Sequence, residues 1–230
     1  MANMSAEARR RAYLKALEID VYTMRAPDAD PDVNDDDQPG GDPAPDWDSL
    51  RQTVAACTRC SLHKTRTQTV FGVGSQTADW MIIGEAPGAE EDRRGEPFVG
   101  RAGKLLDEML RAVKLSRESV FIANILKCRP PNNRDPSRDE AASCRGYLSR
   151  QIELISPKII IAVGRIAAQH LLETDAPLGR LRGRKHQLGN GQIPVIVTYH
   201  PAYLLRSPTQ KRKAWQDLCL ARQVMEEQFQ

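Results

Sequence analysis

Four short runs of apolar, mostly β-branched residues recur along the chain and predict buried β-strands. The runs cover residues 80–83, 120–126, 158–163 and 194–199. Continuous apolar runs of this length are typical of strands that are covered on both faces. Helical patterns separate the runs, so the sequence predicts an α/β protein with a parallel sheet and helices on both sides.

Apolar residues at helical spacing between and after these runs predict four helices. The predicted helices cover residues 102–113, 137–155, 165–172 and about 211–228. In sheets of this kind ligands bind at the carboxyl ends of the strands. The residues that directly follow each strand are therefore the place to look for chemistry.

The first 49 residues have a different character from the rest. Residues 5–22 predict a short helix that could tether a protein partner or be dispensable. Residues 25–49 contain nine Asp, one Arg and almost no large apolar side chain, so we expect a disordered linker. The predicted organisation is a helical extension (residues 1–24), an acidic linker (residues 25–49) and a folded domain (residues 50–230).

The net charge of +3 conceals an asymmetry, because the linker carries −8 and residues 50–230 carry +10. Such a surplus fits a polyanionic partner such as DNA, and equally a solubilising surface. The apolar runs are far shorter than the roughly 20 residues of a membrane span, and the arginine-rich start is too charged for a signal peptide. We expect a cytoplasmic, monomeric protein with no membrane partner.

The cysteines of a cytoplasmic protein are more often metal ligands than disulfide partners. Cys57 and Cys60 form a Cys-x-x-Cys pair, and Cys128 and Cys144 follow far downstream. Four thiolates gathered in this way can hold a metal or an iron-sulfur cluster. A redox pair and buried apolar cysteines are the alternatives, although no strand precedes the pair as a redox motif requires. Cys219, in the last predicted helix, is expected to pack in the core.

Acidic, aromatic and basic residues follow the first strand. The turn over residues 84–92 carries Glu85 and Asp92 and lacks the glycine and lysine spacing of nucleotide-binding loops. Phe98 follows between glycines, where its ring could stack on a planar ligand or pack in the core. Arg101 and Lys104 come next, at a predicted helix start that favours an anion such as a DNA phosphate.

Polar residues also end the second and fourth strands. Asn124 can offer both a donor and an acceptor to the edge of a pyrimidine, or it can cap local backbone. His200 lies at the expected mouth of the sheet, although a lone histidine is more often structural than catalytic. The loops after these two residues contain further candidates, namely Arg129, Leu204, Leu205 and Arg206.

Four motifs, together with the four cysteines, resemble those of the family 4, iron-sulfur uracil-DNA glycosylases over about residues 50–228. The motifs are Gly84-Glu-Ala-Pro-Gly, Pro97-Phe-Val-Gly-Arg-Ala-Gly, Asn124-Ile-Leu-Lys-Cys-Arg-Pro-Pro and His200-Pro-Ala-Tyr-Leu-Leu-Arg. The resemblance implies a three-layer α/β/α fold with a central four-stranded parallel sheet. It also implies a 4Fe-4S cluster bound by Cys57, Cys60, Cys128 and Cys144. A related branch links covalently to DNA through a histidine in an inserted loop, which this chain lacks over residues 127–134, so hydrolysis is favoured.

The resemblance further implies an enzyme that flips uracil out of single- or double-stranded DNA and hydrolyses its N-glycosidic bond. On this basis we expect Glu85 to activate water, with Asp92 as a helper, and His200 to donate a hydrogen bond to the uracil O2. The residues expected around the uracil are Phe98, Asn124, Gly84 and Ala86. Leu204 and Leu205 are expected to wedge into the duplex, and the residues expected on phosphates are Arg101, Lys104, Arg129 and Arg206. Two alternatives remain open. One is a glycosylase for another deaminated base such as hypoxanthine, and the other is a non-enzymatic nucleic-acid-binding protein with a structural zinc.

Overall fold

A six-stranded sheet forms the centre of the computed structural model, which describes residues 46–189 and 193–227. The predicted N-terminal helix, and the predicted linker up to residue 45, lie outside the described residues. The strand order is β1-β3-β2-β4-β6-β5. The strands are Val73–Gly74 (β1), Trp80–Gly84 (β2), Phe121–Asn124 (β3), Ile159–Val163 (β4), Lys185–Leu188 (β5) and Ile193–Thr198 (β6).

The helices that cover this sheet were partly predicted, and the four helices predicted between and after the strands are confirmed to within about two residues. The α-helices are Trp47–Ala55 (α1), Ala89–Arg94 (α2), Arg101–Ala112 (α3), Arg138–Ile155 (α4), Arg165–Leu171 (α5), Leu178–Leu181 (α6), Pro201–Arg206 (α7) and Lys211–Glu227 (α8). Short 3-10 helices cover Ser61–Lys64, Pro131–Asn133 and Pro208–Gln210.

The predicted four-stranded parallel centre is confirmed, because β3, β2, β4 and β6 pair in parallel. Two antiparallel edge strands, β1 and β5, extend the sheet. The apolar pattern did not predict them. β1 has two residues, and β5 alternates exposed and half-buried positions without any apolar run.

Alternate strand residues divide the core into two layers, as the pleat of a strand requires. Met81 and Ile83 of β2 pack in the cluster that contains residues of α1, α4, α5 and α6. Trp80 and Ile82 pack in the opposite cluster, with residues of α3 and α8. The three-layer α/β/α arrangement is therefore confirmed.

The folded part begins earlier than the sequence indicated. Asp46 caps α1 by accepting a hydrogen bond from Ser49 N at 2.8 Å. The ring of Trp47 then packs edge-on against Phe71 and Phe121, with centroids 5.2 and 5.1 Å apart. Residues 47–49, which the sequence assigned to the linker, therefore belong to the first helix.

The topology places a crevice at the carboxyl ends of β2 and β4. The chain leaves β2 toward α3 on one face of the sheet, whereas it leaves β4 toward α5 on the other face. A crevice opens where successive crossovers diverge in this way. Among the described residues, no helix combines the length and apolarity that crossing a bilayer requires.

Candidate active site

Gly84, Phe98 and Asn124 converge at the carboxyl ends of β2 and β3. A Cβ atom on Gly84 would lie 2.4 Å from Asn124 Oδ1 and 2.6 Å from Phe98 Cζ, so only glycine leaves room there. Asn124 is 2% exposed. Its Oδ1 has no hydrogen-bond partner within the described part of the chain. This buried acceptor is therefore available to bind a ligand.

The main chain of Phe98 is held in a strained conformation, with a positive φ of 54°. Arg117 holds this loop by donating to Phe98 O at 3.1 Å and to Pro97 O at 2.7 Å. Gly103 of α3 approaches from the other side, and a Cβ atom there would lie 1.7 Å from Phe98 O. Nothing in the sequence pattern singles out Arg117, because its role is to bind carbonyl groups distant in sequence.

Glu91, a second residue that the sequence motifs did not identify, binds the main chain at the end of the loop that contains Phe98. Its Oε1 accepts from Val99 N at 2.9 Å and from Gly100 N at 3.1 Å. These amides lie directly before α3, where a phosphate was expected. Arg101 and Lys104 of α3 are exposed beside them, so a phosphate here would bind these side chains and not the two amides.

His200 stacks on Phe98, with ring centroids 5.6 Å apart and an interplanar angle of 30°. Its Nδ1 accepts from Ala202 N at 3.1 Å, which leaves the ring proton of the neutral tautomer on Nε2. Burial lowers the pKa of His200 to about 4, and the positive charge of Arg206 adds to this effect while Glu91 opposes it. The imidazole is therefore neutral at physiological pH and can donate one hydrogen bond.

Glu85 follows β2 in a half-buried position. Its pKa is raised to about 7, chiefly by burial and also by the negative charge of Asp135, while the positive charge of Arg165 opposes the shift. Arg165 Nη2 binds Asp135 Oδ2 at 2.7 Å. The loop after β3 and the first residue of α5, which the sequence did not connect with Glu85, therefore influence its ionisation.

Asp92 does not contribute its carboxylate to this group. The residue is 3% exposed, and both of its carboxylate oxygens accept from Thr67 N at 3.0 Å. Its contacts therefore give it a structural role in holding the segment before β1. The prediction that Asp92 assists catalysis is corrected accordingly.

The paired leucines of α7 separate into a buried and an exposed residue. Leu204 is 1% exposed, whereas Leu205 is 38% exposed. Leu204 therefore cannot enter DNA in this conformation, and the predicted wedge is narrowed to Leu205. Arg206 is exposed beside it.

The two other predicted contacts are half-buried. Ala86 packs against the core layer that contains α1 and α4. Arg129 Nε donates to Asn133 Oδ1 at 2.8 Å, within the loop that follows β3. Both residues follow strands whose carboxyl ends meet at the same edge of the sheet.

Cys57, Cys60, Cys128 and Cys144 line one small cavity between α1 and α4. Arg66 Nη1 donates to Cys128 Sγ at 3.0 Å, and burial raises the pKa of the Cys144 thiol to about 11. Within residues 46–189 and 193–227, no three His, Cys, Asp or Glu side chains are arranged to hold a single metal ion.

Cys219 is exposed on α8, which corrects the expectation that it packs in the core.

The residues around the cysteines carry positive charge. Arg59, Arg66 and Lys127 line the cavity, and its lining contains no carboxylate. Lys127 is 1% exposed, and its Nζ binds Asn124 O at 2.9 Å and Gln151 Oε1 at 2.7 Å. Burial lowers the pKa of Lys127 to about 7, and an anionic group in the cavity would stabilise its charged form. The donor set and its surroundings fit an anionic metal-thiolate group.

Known proteins resemble this chain over the same region. The family model described as the uracil DNA glycosylase superfamily matches residues 71–219. A type-4 uracil-DNA glycosylase of Archaeoglobus fulgidus is 46% identical over 70% of this chain and 84% of its own length. Those of Pyrobaculum aerophilum and Thermotoga maritima are 42% and 44% identical, over 76% and 69% of this chain and 92% and 82% of theirs. The chain therefore belongs to the uracil-DNA glycosylase superfamily and to its type-4 family.

Proposed function

We propose that this protein excises uracil from DNA by hydrolysing the N-glycosidic bond, which leaves an abasic site. The observation that carries the proposal is the unpartnered Oδ1 of Asn124, buried beside Phe98 at the mouth of the sheet. A flipped uracil presents N3–H to this acceptor and O4 to the amide donor of the same side chain. The ring of Phe98 supports its face, and Gly84 leaves the room that it needs.

The leaving uracil gains negative charge as the bond breaks, so a donor near its O2 lowers the barrier. His200 suits this role because it is neutral and its Nδ1 is already occupied by Ala202 N. The proton therefore resides on Nε2. A neutral donor of this kind needs no protonation step before each turnover.

The sugar gains positive charge in the same step, and water must reach its anomeric carbon. Glu85 is the carboxylate that meets this need, because it follows β2 at the crevice and has a pKa of about 7. In its ionised form it orients the water, accepts a proton from it and stabilises the cationic sugar. A base with a pKa near the working pH is well matched to this task.

Extracting the nucleotide from a duplex costs a few kcal/mol of unstacking. Leu205 is the apolar side chain placed to fill the space that the uracil leaves, because it is exposed at the end of α7. Four cations bind the phosphates on either side in this proposal. They are Arg101, Lys104, Arg129 and Arg206.

The four cysteines hold a 4Fe-4S cluster in this proposal. Each cysteine of such a cluster binds a different iron, so three thiolates need not meet at one point. When bound, the cluster fixes the chain before β1 to the loop after β3. Cys128→Ser should abolish the visible absorbance and lower the free energy of unfolding. Cys219→Ser, at an exposed position, should change neither. A colourless purified protein would contradict the cluster.

One assay tests the enzymatic proposal. The protein is incubated with duplexes that carry a single uracil, hypoxanthine or mismatched thymine, and abasic sites are then cleaved. We expect product from the uracil duplex, and Asn124→Asp should lower it strongly because a carboxylate repels the uracil O4. Product from hypoxanthine alone would favour the other base, and no product from any duplex would refute an excising activity.

The cytoplasmic location, the monomeric state and a partner for residues 5–22 stay predictions.

A further inference from the structure

The exposed large hydrophobic side chains of the described residues all lie in one short stretch. Tyr203 is 36% exposed, Leu205 38% and Trp215 45%. Trp80, by comparison, is 8% exposed, and Trp47 is half-buried. Their exposure and their closeness along the chain make this stretch a candidate binding site.

Exposed positive charges lie in the same stretch of the chain as these side chains. Arg206, Lys211 and Arg212 are exposed, and none forms an ion pair with any described residue. Residues 199–216 contain no Asp or Glu. We call the group formed by Arg206, Lys211, Arg212 and Trp215 the α7–α8 surface.

Helical spacing brings the members of this surface on α8 together. Lys211 and Arg212 precede Trp215 by four and three residues, which places all three on one face of the helix. A long helical side chain leans toward the preceding turn, so the indole of Trp215 lies over the turn that carries the two cations. The surface therefore presents an aromatic ring beside two positive charges.

The start of α8 is also held in place. Arg182 Nη2 donates to Lys213 O at 2.5 Å and to Asp217 Oδ1 at 2.9 Å. The Arg182 guanidinium lies 5.1 Å from the centroid of Tyr199, which stacks on Tyr203 at 5.1 Å. Tyr199 directly precedes His200, so these contacts join the α7–α8 surface to the proposed uracil site.

We propose that the α7–α8 surface binds single-stranded DNA that flanks the flipped uracil, with Trp215 stacked on an unpaired base. This inference rests on the proposed excision of uracil from DNA. Alternating aromatic and basic side chains are the usual platform for single strands, because every base has a face on which an aromatic ring can stack. Bases inside a duplex stack on one another and offer no such face.

The chemistry of the surface disfavours two other occupants. A second copy of this chain, docked through the same surface, would bring like charges together. The acidic segment 25–46 has complementary charge but contains no aromatic residue to stack on the indole. DNA supplies both the phosphates and the rings.

Tryptophan fluorescence tests the proposal on the full chain with oligothymidylate of about 12 nucleotides that contains no uracil. We expect quenching in the wild type and its loss in Trp215→Leu, with affinity lower by roughly 5-fold to 100-fold. Equal affinity of the two proteins would overturn the proposal. Two results without DNA would also overturn the proposal. A change of emission with protein concentration would identify a second copy of the chain as the occupant of the surface, and a change with added salt would identify the acidic segment.

The salt dependence of the same binding supplies a second readout. Removing two phosphate contacts in Lys211→Ala/Arg212→Ala should lower the slope of log affinity against log salt by about 1.4. Lys64→Ala/Lys114→Ala is the matched control, because it removes the same charge from two exposed positions that form no ion pair with a described residue. Equal slopes in the two double variants would overturn the proposal.

Excision from a short uracil duplex separates this inference from the function on which it rests. Trp215→Leu should retain that excision within about twofold, because the duplex offers no unpaired flanking base to the surface. Loss of binding with retained excision supports a contact between Trp215 and single-stranded DNA that excision from the duplex does not require. If the wild-type protein excises no uracil, the proposed function is wrong, but the measured binding of oligothymidylate still decides the role of the α7–α8 surface.

Discussion

Lys127 Nζ donates a hydrogen bond of 2.9 Å to the main-chain carbonyl of Asn124. The same ammonium binds Gln151 Oε1 at 2.7 Å, and Gln151 in turn donates to Phe71 O at 2.9 Å. Lys127 precedes Cys128 in the chain. One buried side chain therefore connects the strand end that carries the proposed uracil-reading amide with the cavity that the four cysteines line.

Lys127→Met should destabilise both the strand end that carries Asn124 and the cavity that the four cysteines line. It leaves two buried oxygen acceptors without a donor, and each such loss costs about 1–3 kcal/mol. We expect a lower free energy of unfolding, a higher KM for uracil-containing DNA and faster loss of visible absorbance. Lys64→Met is the control, because Lys64 is exposed on the 3-10 helix beside the cysteines. Equal unfolding free energies for the two variants would show that Lys127 does not hold the sites together.

Gly84→Ala should lower both the stability of the protein and its excision of uracil. The added methyl group would collide with Asn124 Oδ1 and Phe98 Cζ, so both proposed uracil contacts must move. Overpacking of this kind typically costs 1–3 kcal/mol, and we expect kcat/KM to fall by about tenfold or more.

Gly146→Ala is the matched control for that substitution. Nothing lies within 4 Å of a Cβ atom at Gly146, which is in the middle of α4. Alanine there should raise stability by about 0.5–1 kcal/mol and leave kcat/KM unchanged. If the two variants excise uracil equally well, the space at Gly84 is not part of the site.

The central sheet could be predicted because its determinants are local. The β-branched run of β4 must be covered on both faces, and the spacing of apolar residues in α4 indicates a helix whatever its partners. The pairing of β5 depends on β6 and not on its own side chains, which alternate between exposed and half-buried. Its sequence therefore contains no signal that a local pattern could reveal.

The supporting residues of the site escaped prediction for a related reason. Glu91 and Arg117 act on main-chain amides and carbonyls, which every loop contains. Sequence motifs identified Phe98, because its type and its glycine neighbours are unusual. The division between Leu204 and Leu205 depends on how α7 rotates against α3, and adjacent identical residues give no indication of that rotation.

Leu204→Ala and Leu205→Ala should separate packing from DNA insertion. Truncating the buried Leu204 should lower the unfolding free energy by about 2–5 kcal/mol. Truncating the exposed Leu205 should change stability by less than about 0.5 kcal/mol. It should slow excision from duplex DNA while sparing a single-stranded substrate, which needs no wedge. An equal loss on both substrates would remove Leu205 from the wedge role.

The pH dependence of excision should follow the ionisation of Glu85. A base must be ionised to accept a proton, and burial and Asp135 raise the pKa of Glu85 to about 7. We therefore expect kcat/KM to rise as the pH increases through about 7 and to level off above it. Glu85→Gln should lower turnover strongly and remove this rise while leaving DNA binding intact.

Two neighbouring substitutions should move the midpoint of that rise in opposite directions. Asp135→Asn removes a negative charge that keeps Glu85 protonated, so the midpoint should fall. Arg165→Gln removes a positive charge that favours the carboxylate, so the midpoint should rise. Gln169→Ala is a neutral control, since Gln169 Oε1 accepts from Arg165 Nη1 at 3.1 Å. Opposite shifts of the midpoint cannot arise from a general loss of structure. If the midpoint is the same in all these variants, the titrating group is not Glu85.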